Sequence, residues 1–336
     1  MKAWRISILG ALISATALYF IYRQIDLPQL GAALRTARYI YVLPCLLLLV
    51  LGLVTRAIRW RLLLGGDLPL HRAFSIMNVA YLVNGFLPLR IGEVARIYLA
   101  RRVEPPVPVF KSASTIITER LLDLLAVVVM ALFALAAAPL PDGSRQTALI
   151  MGAIAIVGFG VLLVMAWQRP LTERLVVLVV GRFPTLERFD VPRWSKQFLD
   201  GLSPLTHPAS LVGALGLTAL SWGVSACAGY VLMYAFYPQA SWATTLLYIA
   251  SAAFAIAVPA VPGNLGTYEA SIIGALVVMG YAFDSTAASF AVMVHAVNLF
   301  VHAATGVAGF VQEGISLQQL SQGVSQMQHA QQSEAS

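Results

Sequence analysis

The chain has 336 residues, of which 59% are hydrophobic and only 11% are charged, and its mean hydropathy is +0.79. Soluble domains carry about 25% charged residues, so this composition excludes an ordinary soluble protein. The net charge of +7 does not indicate nucleic-acid binding, because the basic residues lie between long apolar segments. That pattern is typical of positive-inside membrane topology.

Six segments are long and nearly free of charge, and a bilayer core requires about 20 apolar residues per helical crossing. The first, Ile6–Tyr22, follows Lys2 and Arg5 and has no clear small-residue cleavage site, so we interpret it as a retained helix. The others are Val42–Val54, Leu124–Ala138, Thr147–Trp167, Leu211–Tyr237 and Ala287–Val311. They predict an all-α polytopic membrane protein with about six full spans.

The distribution of basic residues predicts the orientation of these spans. All 22 Lys and Arg lie between Lys2 and Lys196, and cytoplasmic loops are the ones enriched in them. We expect a multi-pass protein of a bacterial inner membrane with both termini in the cytoplasm. Residues 168–208 are basic and form a predicted cytoplasmic segment, in which Leu171–Val180 and Val191–Leu202 are expected to lie on the membrane surface. The Gln/Ser-rich tail, 314–336, is expected to be disordered.

Two helix-breaking sequences resemble each other. Pro88 is followed by Gly92 and then Glu93, and Pro262 is followed by Gly266 and then Glu269. Each is preceded by an apolar run that is slightly short for a crossing, which is typical of re-entrant segments. Broken backbone at membrane depth persists only where protein buries it or where it lines a cavity. We therefore predict two re-entrant helical hairpins with broken tips.

The first hairpin is next to arginines and is expected to enter from the cytoplasm, whereas the second has no nearby basic residue and is expected to enter from outside. Such a pair is typical of inverted repeats, which place a binding site near the membrane midplane. The predicted single domain, 1–313, then divides into a first repeat, about 1–138, and a second, about 147–313. The alternative is that two Pro-Gly turns coincide by chance.

Three stretches in this order resemble one membrane-protein family: FLPLRIGEVARIYLARR, TERLLDLLAVV and VPAVPGNLGTYEA. The chain is similar over nearly its whole length to the lysylphosphatidylglycerol synthase transmembrane region family, also called the flippase-like group, as a stand-alone membrane domain. The resemblance implies a protein that moves a lipid between leaflets, or helps to. The soluble aminoacyl-transferase domain of the two-domain synthases is not expected here, because too few residues follow Val311.

The first candidate site lies beside the first break and contains Arg90, Glu93 and Arg96, with Asn84 next to it. If a helix resumes after Pro88, these charged residues are spaced i, i+3 on one face. One Glu between two Arg leaves a positive charge that suits a lipid phosphate, since guanidinium binds phosphate in bidentate fashion. The alternative is topology charge at the membrane surface.

The second candidate site, Glu119, Arg120 and Asp123, begins a predicted span and matches the family's ER..D pattern. Charges inside spans are costly and normally face the bundle interior. We expect pairing with Arg90 or Arg96, or with the upstream Arg56 and Arg59. The alternative is a purely structural ion-pair network.

The third candidate site surrounds the second break and comprises Pro262, Gly263, Asn264, Gly266, Thr267 and Glu269. A helix starting near Thr267 would direct its positive dipole end at the break, and Thr267 is a possible cap. Glu269 is either a helix-start acid or a buried acid that titrates or pairs with an arginine of the first site.

Three polar residues of the last span, His295, Asn298 and His302, share one helical face. We expect them to join helices in the bundle core, with a proton relay and metal binding as the alternatives. Trp60 and Trp222, near predicted span ends, suit aromatic belts at the membrane interface.

These features favour a lipid transporter whose cargo is a membrane lipid with an anionic headgroup, phospholipid or polyprenyl-phosphate-linked. No catalytic motif, metal-ligand set, cofactor site or nucleotide-binding loop is found, so an enzyme is not expected. The alternative is a membrane-embedded accessory protein or lipid-modifying enzyme in a lipid or glycolipid synthesis pathway. Partners are then a lipid-synthesis enzyme or further copies of the chain, and no nucleic acid.

Overall fold

The structure is a computed structural model, and it describes residues 12–19, 21, 23, 26–86, 91–139, 142–182, 195–196, 199, 202–257 and 262–333. These residues are helical apart from turns and short connections, which confirms the predicted helical class. Residues 12–19 are helical and belong to the predicted first span. The further helices are α1 Leu27–Thr36, α2 Val42–Leu63, α3 Leu70–Phe86, α4 Ile91–Arg101, α5 Val109–Ala136, α6 Asp142–Trp167, α7 Arg169–Arg182, α8 Pro208–Met233, α9 Trp242–Ala257, α10 Thr267–Val278, α11 Ser285–Glu313 and α12 Leu317–Ser333.

Three stretches of the described chain are long and apolar enough to cross a membrane: Tyr39–Leu63, Pro208–Met233 and Ser285–Glu313. A fourth arises if α6 and α7 are taken together, although they meet at an angle of 103°. The chain is therefore a multi-pass helical membrane protein, and the figure of six spans stays a prediction. The bend after Trp167 falls where the basic segment 168–208 was expected to leave the bilayer, but most of its second surface piece lies outside the described residues.

The centre of the molecule is a pair of long helices, α2 and α8, that pack against each other. Two helical hairpins flank this pair. In one, α3 packs against α4, and in the other α9 packs against α10. Each predicted break therefore separates two helices that turn back on each other, as expected for a hairpin.

The packing of the first half has counterparts in the second half. The first arm of hairpin α3–α4 packs on α11, and the first arm of hairpin α9–α10 packs on α5. The second arms, α4 and α10, pack on α5 and α11 respectively. The two long helices that close the halves thus each contact both hairpins.

The two hairpins approach each other beside their breaks. The turn Pro262–Asn264 packs against α3, and a Cβ placed on Gly263 would lie 3.8 Å from the carbonyl oxygen of Gly85. At the first tip, a Cβ on Gly92 would lie 2.1 Å from the Ala80 carbonyl oxygen, so only glycine allows α4 to approach α3 this closely. The described residues that border the two breaks, Gly85 and Gly263, therefore lie close together.

The polar tail differs from the expectation of disorder. Residues Leu317–Ser333 form α12, which packs against α4. Leu320 and Val324 are 4% and 5% exposed and join the apolar cluster around Leu99. The polar composition of the tail did not indicate this helix, because two apolar residues at positions i and i+4 are enough to pack one face of a helix on a neighbouring surface.

Candidate functional site

A network of buried charges lies where α2, α4, α5 and α8 converge, and Arg59 is at its centre. Arg59 is 1% exposed. Its Nη1 and Nη2 lie 2.7 and 3.2 Å from Asp123 Oδ1 and Oδ2, and its Nε lies 3.8 Å from Glu119 Oε1. Nη1 also donates to Thr218 Oγ1 of α8 at 2.9 Å. This two-pronged pairing compensates the charge of a guanidinium that is removed from water and occupies Nη1 and Nη2, while Nε has no hydrogen-bond partner within the described residues.

The second buried arginine, Arg96 of α4, shares the same acid. Its Nη1 lies 2.6 Å from Glu119 Oε2. Its guanidinium carbon lies 3.8 Å from the centre of the Trp60 ring, and the Trp60 indole N–H donates to Thr115 Oγ1 at 3.0 Å. Cation–π contact and ion pairing together stabilise the Arg96 guanidinium in an interior where it is 4% exposed.

Of the two pairings predicted for Arg96, the one with the ER..D cluster is observed and the one with Glu93 is not. Glu93 pairs with Arg120 of α5 at 2.6 Å, and Arg96 pairs with Glu119 instead. The physical reason is that α4 turns its charged face towards α5, whose neighbouring Glu and Arg offer both signs. Arg90 lies outside the described residues.

The expected pairing of the ER..D cluster with upstream arginines is seen for Arg59 and differs for Arg56. Arg56 Nε donates to Ser221 Oγ at 3.1 Å, and its guanidinium carbon lies 5.2 Å from the centre of the Trp222 ring. The Trp222 N–H donates to Asp123 Oδ1 at 3.0 Å. No carboxylate in the described part of the chain pairs with Arg56. The described network has four arginines (56, 59, 96 and 120) and three carboxylates (93, 119 and 123), so Arg56 is its surplus positive charge.

The second break is built on backbone conformations that favour glycine and asparagine. Gly263, Asn264 and Gly266 have φ of 75°, 54° and 85°. Helix α10 starts immediately afterwards at Thr267, whose Oγ1 donates to the Asn264 carbonyl oxygen at 3.0 Å. Thr267 thus bonds backwards into the turn, but the N-cap residue of α10 is Gly266 and not Thr267 as expected. The side chain of Pro262 lies outside what is described.

Glu269 has both a helix-start role and a buried partner. Its Oε2 accepts the Gly266 N–H at 2.7 Å, which is the helix-start alternative. Its Oε1 lies 2.6 Å from His295 Nδ1, and Glu269 is 8% exposed. The expected partner was an arginine of the first site, whereas the observed partner is a histidine of α11. The Tyr268 ring lies 4.5 Å from the His295 ring and covers this pair.

The remaining predicted residues lie at the first break and on α11. Asn84 Oδ1 accepts the Gly92 N–H at 2.8 Å and so bridges the first break. Asn298 donates to the Val294 carbonyl oxygen at 2.8 Å, and the His302 ring lies 5.4 Å from the Tyr81 ring. His295 and His302 therefore contact α10 and α3, as expected for residues that join helices, whereas the hydrogen bond of Asn298 lies within α11.

Sequence patterns missed the aromatic members of the network. Trp60 and Trp222 were expected in interface belts, but Trp60 is fully buried and Trp222 bonds to Asp123. Their proximity to Arg56 and Arg59 in the sequence, and to Ser221, was the available signal. In the part of the chain described, no group of three metal-ligating side chains is suited to a metal ion.

Comparison with curated proteins gives no match for this chain. A family model, described as the lysylphosphatidylglycerol synthase TM region, matches residues 7–306. The match includes both hairpins, the charge network and the pair formed by Glu269 and His295. The chain therefore belongs to the family of the lysylphosphatidylglycerol synthase TM region, and it is a membrane protein tied to lipid metabolism.

Proposed function

We propose that this protein is a lipid transporter, rather than an enzyme, and that it moves an anionic lipid between the leaflets of a bacterial inner membrane. The observation that carries the proposal is the close approach of the two hairpins beside their breaks, where the turn Pro262–Asn264 packs on α3 and Gly263 lies next to the Gly85 carbonyl. Interrupted helices in a membrane protein persist where they line a polar path or cavity. Transporters commonly place their binding site at such tips.

The matched packing of the two halves supports an inverted repeat. If the first half is exchanged with the second, the packing of α3 on α11 corresponds to the packing of α9 on α5. The same exchange turns α2 into α8, and these two helices pack on each other. A pseudo-two-fold axis between α2 and α8 accounts for these pairs. In this arrangement the two hairpins are re-entrant and enter from opposite faces, and rocking of one half against the other would give access to each leaflet in turn.

The charge network supports an anionic cargo. Ion pairs inside a membrane protein stabilise a polar interior only when each charge has a partner, and in the described network the four arginines exceed the three carboxylates by one. A polar route of this kind suits a phosphate headgroup, while acyl or isoprenoid tails stay in the bilayer. With no nucleotide-binding loop in the sequence, we expect an ion gradient or the lipid gradient to supply the energy.

The direct test is lipid exchange in proteoliposomes. Vesicles containing acyl-labelled fluorescent phosphatidylglycerol are treated with an impermeant quencher, and the rate at which inner-leaflet label becomes quenched is measured. We expect faster exchange than in protein-free vesicles. Glu269→Gln is expected to slow it, because a neutral amide replaces the anion facing His295, whereas the exposed loop variant Glu104→Gln is the control.

Exchange no faster than in protein-free vesicles, for phosphatidylglycerol and other anionic and zwitterionic lipids alike, would contradict a transporter. That result would favour an accessory protein or a lipid-modifying enzyme, for which the basic segment 168–208 is the natural docking surface for a partner.

A further inference from the structure

A cavity lies beside the charge network and is not part of the two tips. It has a volume of ≈ 160 Å³ and is enclosed by residues of α2, α8, α9, α10 and α11. This volume is about ten times what one buried water needs, so the space admits a chemical group larger than a water molecule. Its walls are mostly apolar, and its polar side chains are Arg56, Ser225, Tyr248, Tyr268, Asn298 and His302.

Arg56 is the cation in this cavity. One of its donors, Nε, bonds to Ser221, and its guanidinium faces the Trp222 ring. No carboxylate is found among the residues that line the cavity, and none in the described chain pairs with Arg56. An arginine in a partly buried apolar site retains its charge and its fork of donors, so it is available to an anion.

Tyr248 gives an independent indication. It is 1% exposed, it lines the same cavity, and its hydroxyl has no hydrogen-bond partner within the described residues. A buried hydroxyl without a partner costs free energy that a ligand oxygen would recover. Asn298 also lines the cavity and uses one of its two amide N–H groups on the Val294 carbonyl, which leaves the second for a ligand.

The cavity reaches the outside of the bundle. Ile256 lines it and is 47% exposed, on a helix whose outer residues are apolar. A ligand in the cavity can therefore extend an apolar portion past Ile256 towards the lipid-facing surface. This combination of an interior cation, unpaired donors and an apolar exit fits an amphiphile with an anionic head.

We propose that this cavity is a phosphate-binding site that holds the headgroup of an anionic lipid through Arg56. The assignment rests on the proposed function for its lipid ligand and moves the surplus charge from the first break, where the sequence placed it, to α2. Bidentate bonds from guanidinium to phosphate oxygens hold the head, and apolar walls such as Ala253 and Leu53 contact its carbon atoms.

Equilibrium binding tests the site separately from transport. Purified protein in detergent is incubated with phosphatidylglycerol, phosphatidic acid or phosphatidylcholine, and bound lipid is measured by native mass spectrometry. We expect the wild type to retain the two anionic lipids at least tenfold better than phosphatidylcholine, because only they carry uncompensated phosphate charge. Arg56→Gln is expected to remove this preference, and Arg56→Lys to keep part of it, since lysine preserves the charge without the bidentate fork.

The matched control is Arg101→Gln, which removes the same charge from an exposed position and is expected to leave retention unchanged. Should Arg56→Gln fail to fold, Ala253→Leu fills the cavity without changing any charge and is expected to lower anionic-lipid retention at least tenfold. Equal retention of anionic and zwitterionic lipids by the wild type, or full retention by both cavity variants, would overturn the proposal.

Competition distinguishes the source of the phosphate. Glycerol 3-phosphate is expected to displace phosphatidylglycerol only weakly, because it lacks the apolar portion. Displacement at concentrations equal to those of the lipid would overturn the lipid assignment and indicate a soluble phosphate ligand. If Arg56→Gln loses anionic-lipid retention while the wild type shows no lipid exchange, transport is refuted and the binding site stands. If Arg56→Gln keeps full retention while the wild type exchanges lipid, the binding site is refuted and transport stands.

Discussion

Arg59 of α2 and Asp123 of α5, which are 64 residues apart in the chain, form a two-pronged ion pair. Arg59 Nη1 lies 2.7 Å from Asp123 Oδ1, and Arg59 Nη2 lies 3.2 Å from Asp123 Oδ2. The same carboxylate accepts the Trp222 N–H, so one acid holds α2, α5 and α8 together. Neighbouring Glu119 adds α4 through Arg96. This network is where the charges of four helices meet, and its consequences can be measured.

Asp123→Asn is expected to lower the free energy of unfolding by about 3 kcal/mol or more, because it leaves the Arg59 charge buried without its main partner. Thermal or denaturant unfolding in detergent measures the loss. Asp67→Asn is the control: it removes the acid of the Lys111 pair, whose side chains are both 41% exposed, and should cost less than about 1 kcal/mol. Equal losses for the two variants would contradict a buried network.

The first hairpin tip gives a second prediction. Gly92→Ala is expected to lower stability by about 2 kcal/mol, because its Cβ would lie 2.1 Å from the Ala80 carbonyl oxygen and 2.6 Å from Asn84 Oδ1. Gly85→Ala, in the same hairpin, has no atom within 4 Å of the added carbon and should be neutral or slightly stabilising. Unfolding midpoints of the two variants, measured side by side, check the contrast. A harmless Gly92→Ala would show that α4 does not approach α3 so closely.

Sequence patterns could locate the two breaks because proline and glycine act locally on the backbone. The repeated order of Pro, Gly and Glu therefore sufficed to predict where two pairs of consecutive helices pack on each other, and the ER..D pattern sufficed to predict ion pairs with Arg59 and Arg96. Partners could be predicted only as a set of alternatives that included Arg59 and Arg96, because the choice among them depends on which residues of another helix lie opposite. Glu93 was assigned to arginines of its own helix, yet α5 places Arg120 across from it.

The surplus charge illustrates the same limit. Helical periodicity places Arg56 and Arg59 one turn apart, but it does not tell which of them faces an acid. Only the packing of α2 against α8 and α5 gives Asp123 to Arg59 and leaves Arg56 beside Trp222 and the cavity. The packing of the helices thus determines that Arg59 is paired with an acid and that Arg56, within the described residues, is not.

The C-terminal helix gives a third prediction. Leu320→Ala is expected to lower the free energy of unfolding by about 2–3 kcal/mol, because Leu320 is 4% exposed in the cluster with Leu99. Leu317→Ala, in the same helix, changes a side chain that is 65% exposed and should shift stability by less than about 0.5 kcal/mol. Denaturant titration of both variants is the measurement. Equal, small effects would mean that α12 does not pack on α4.

The fourth prediction concerns the orientation of the hairpins. If the hairpins enter from opposite faces and meet at their tips, their bases lie on opposite sides of the membrane. The connection that contains Pro106 adjoins the base of hairpin α3–α4, and the connection that contains Gln239 adjoins the base of hairpin α9–α10. Both positions are exposed.

In a chain carrying Cys45→Ala and Cys227→Ala, Pro106→Cys should react with an impermeant maleimide only in inside-out vesicles. Gln239→Cys should react only in right-side-out cells or spheroplasts, because its loop faces outward. Permeabilised cells, in which both must react, control for accessibility. Labelling of the two positions from the same side would rule out the inverted repeat while leaving the observed packing of the tips intact.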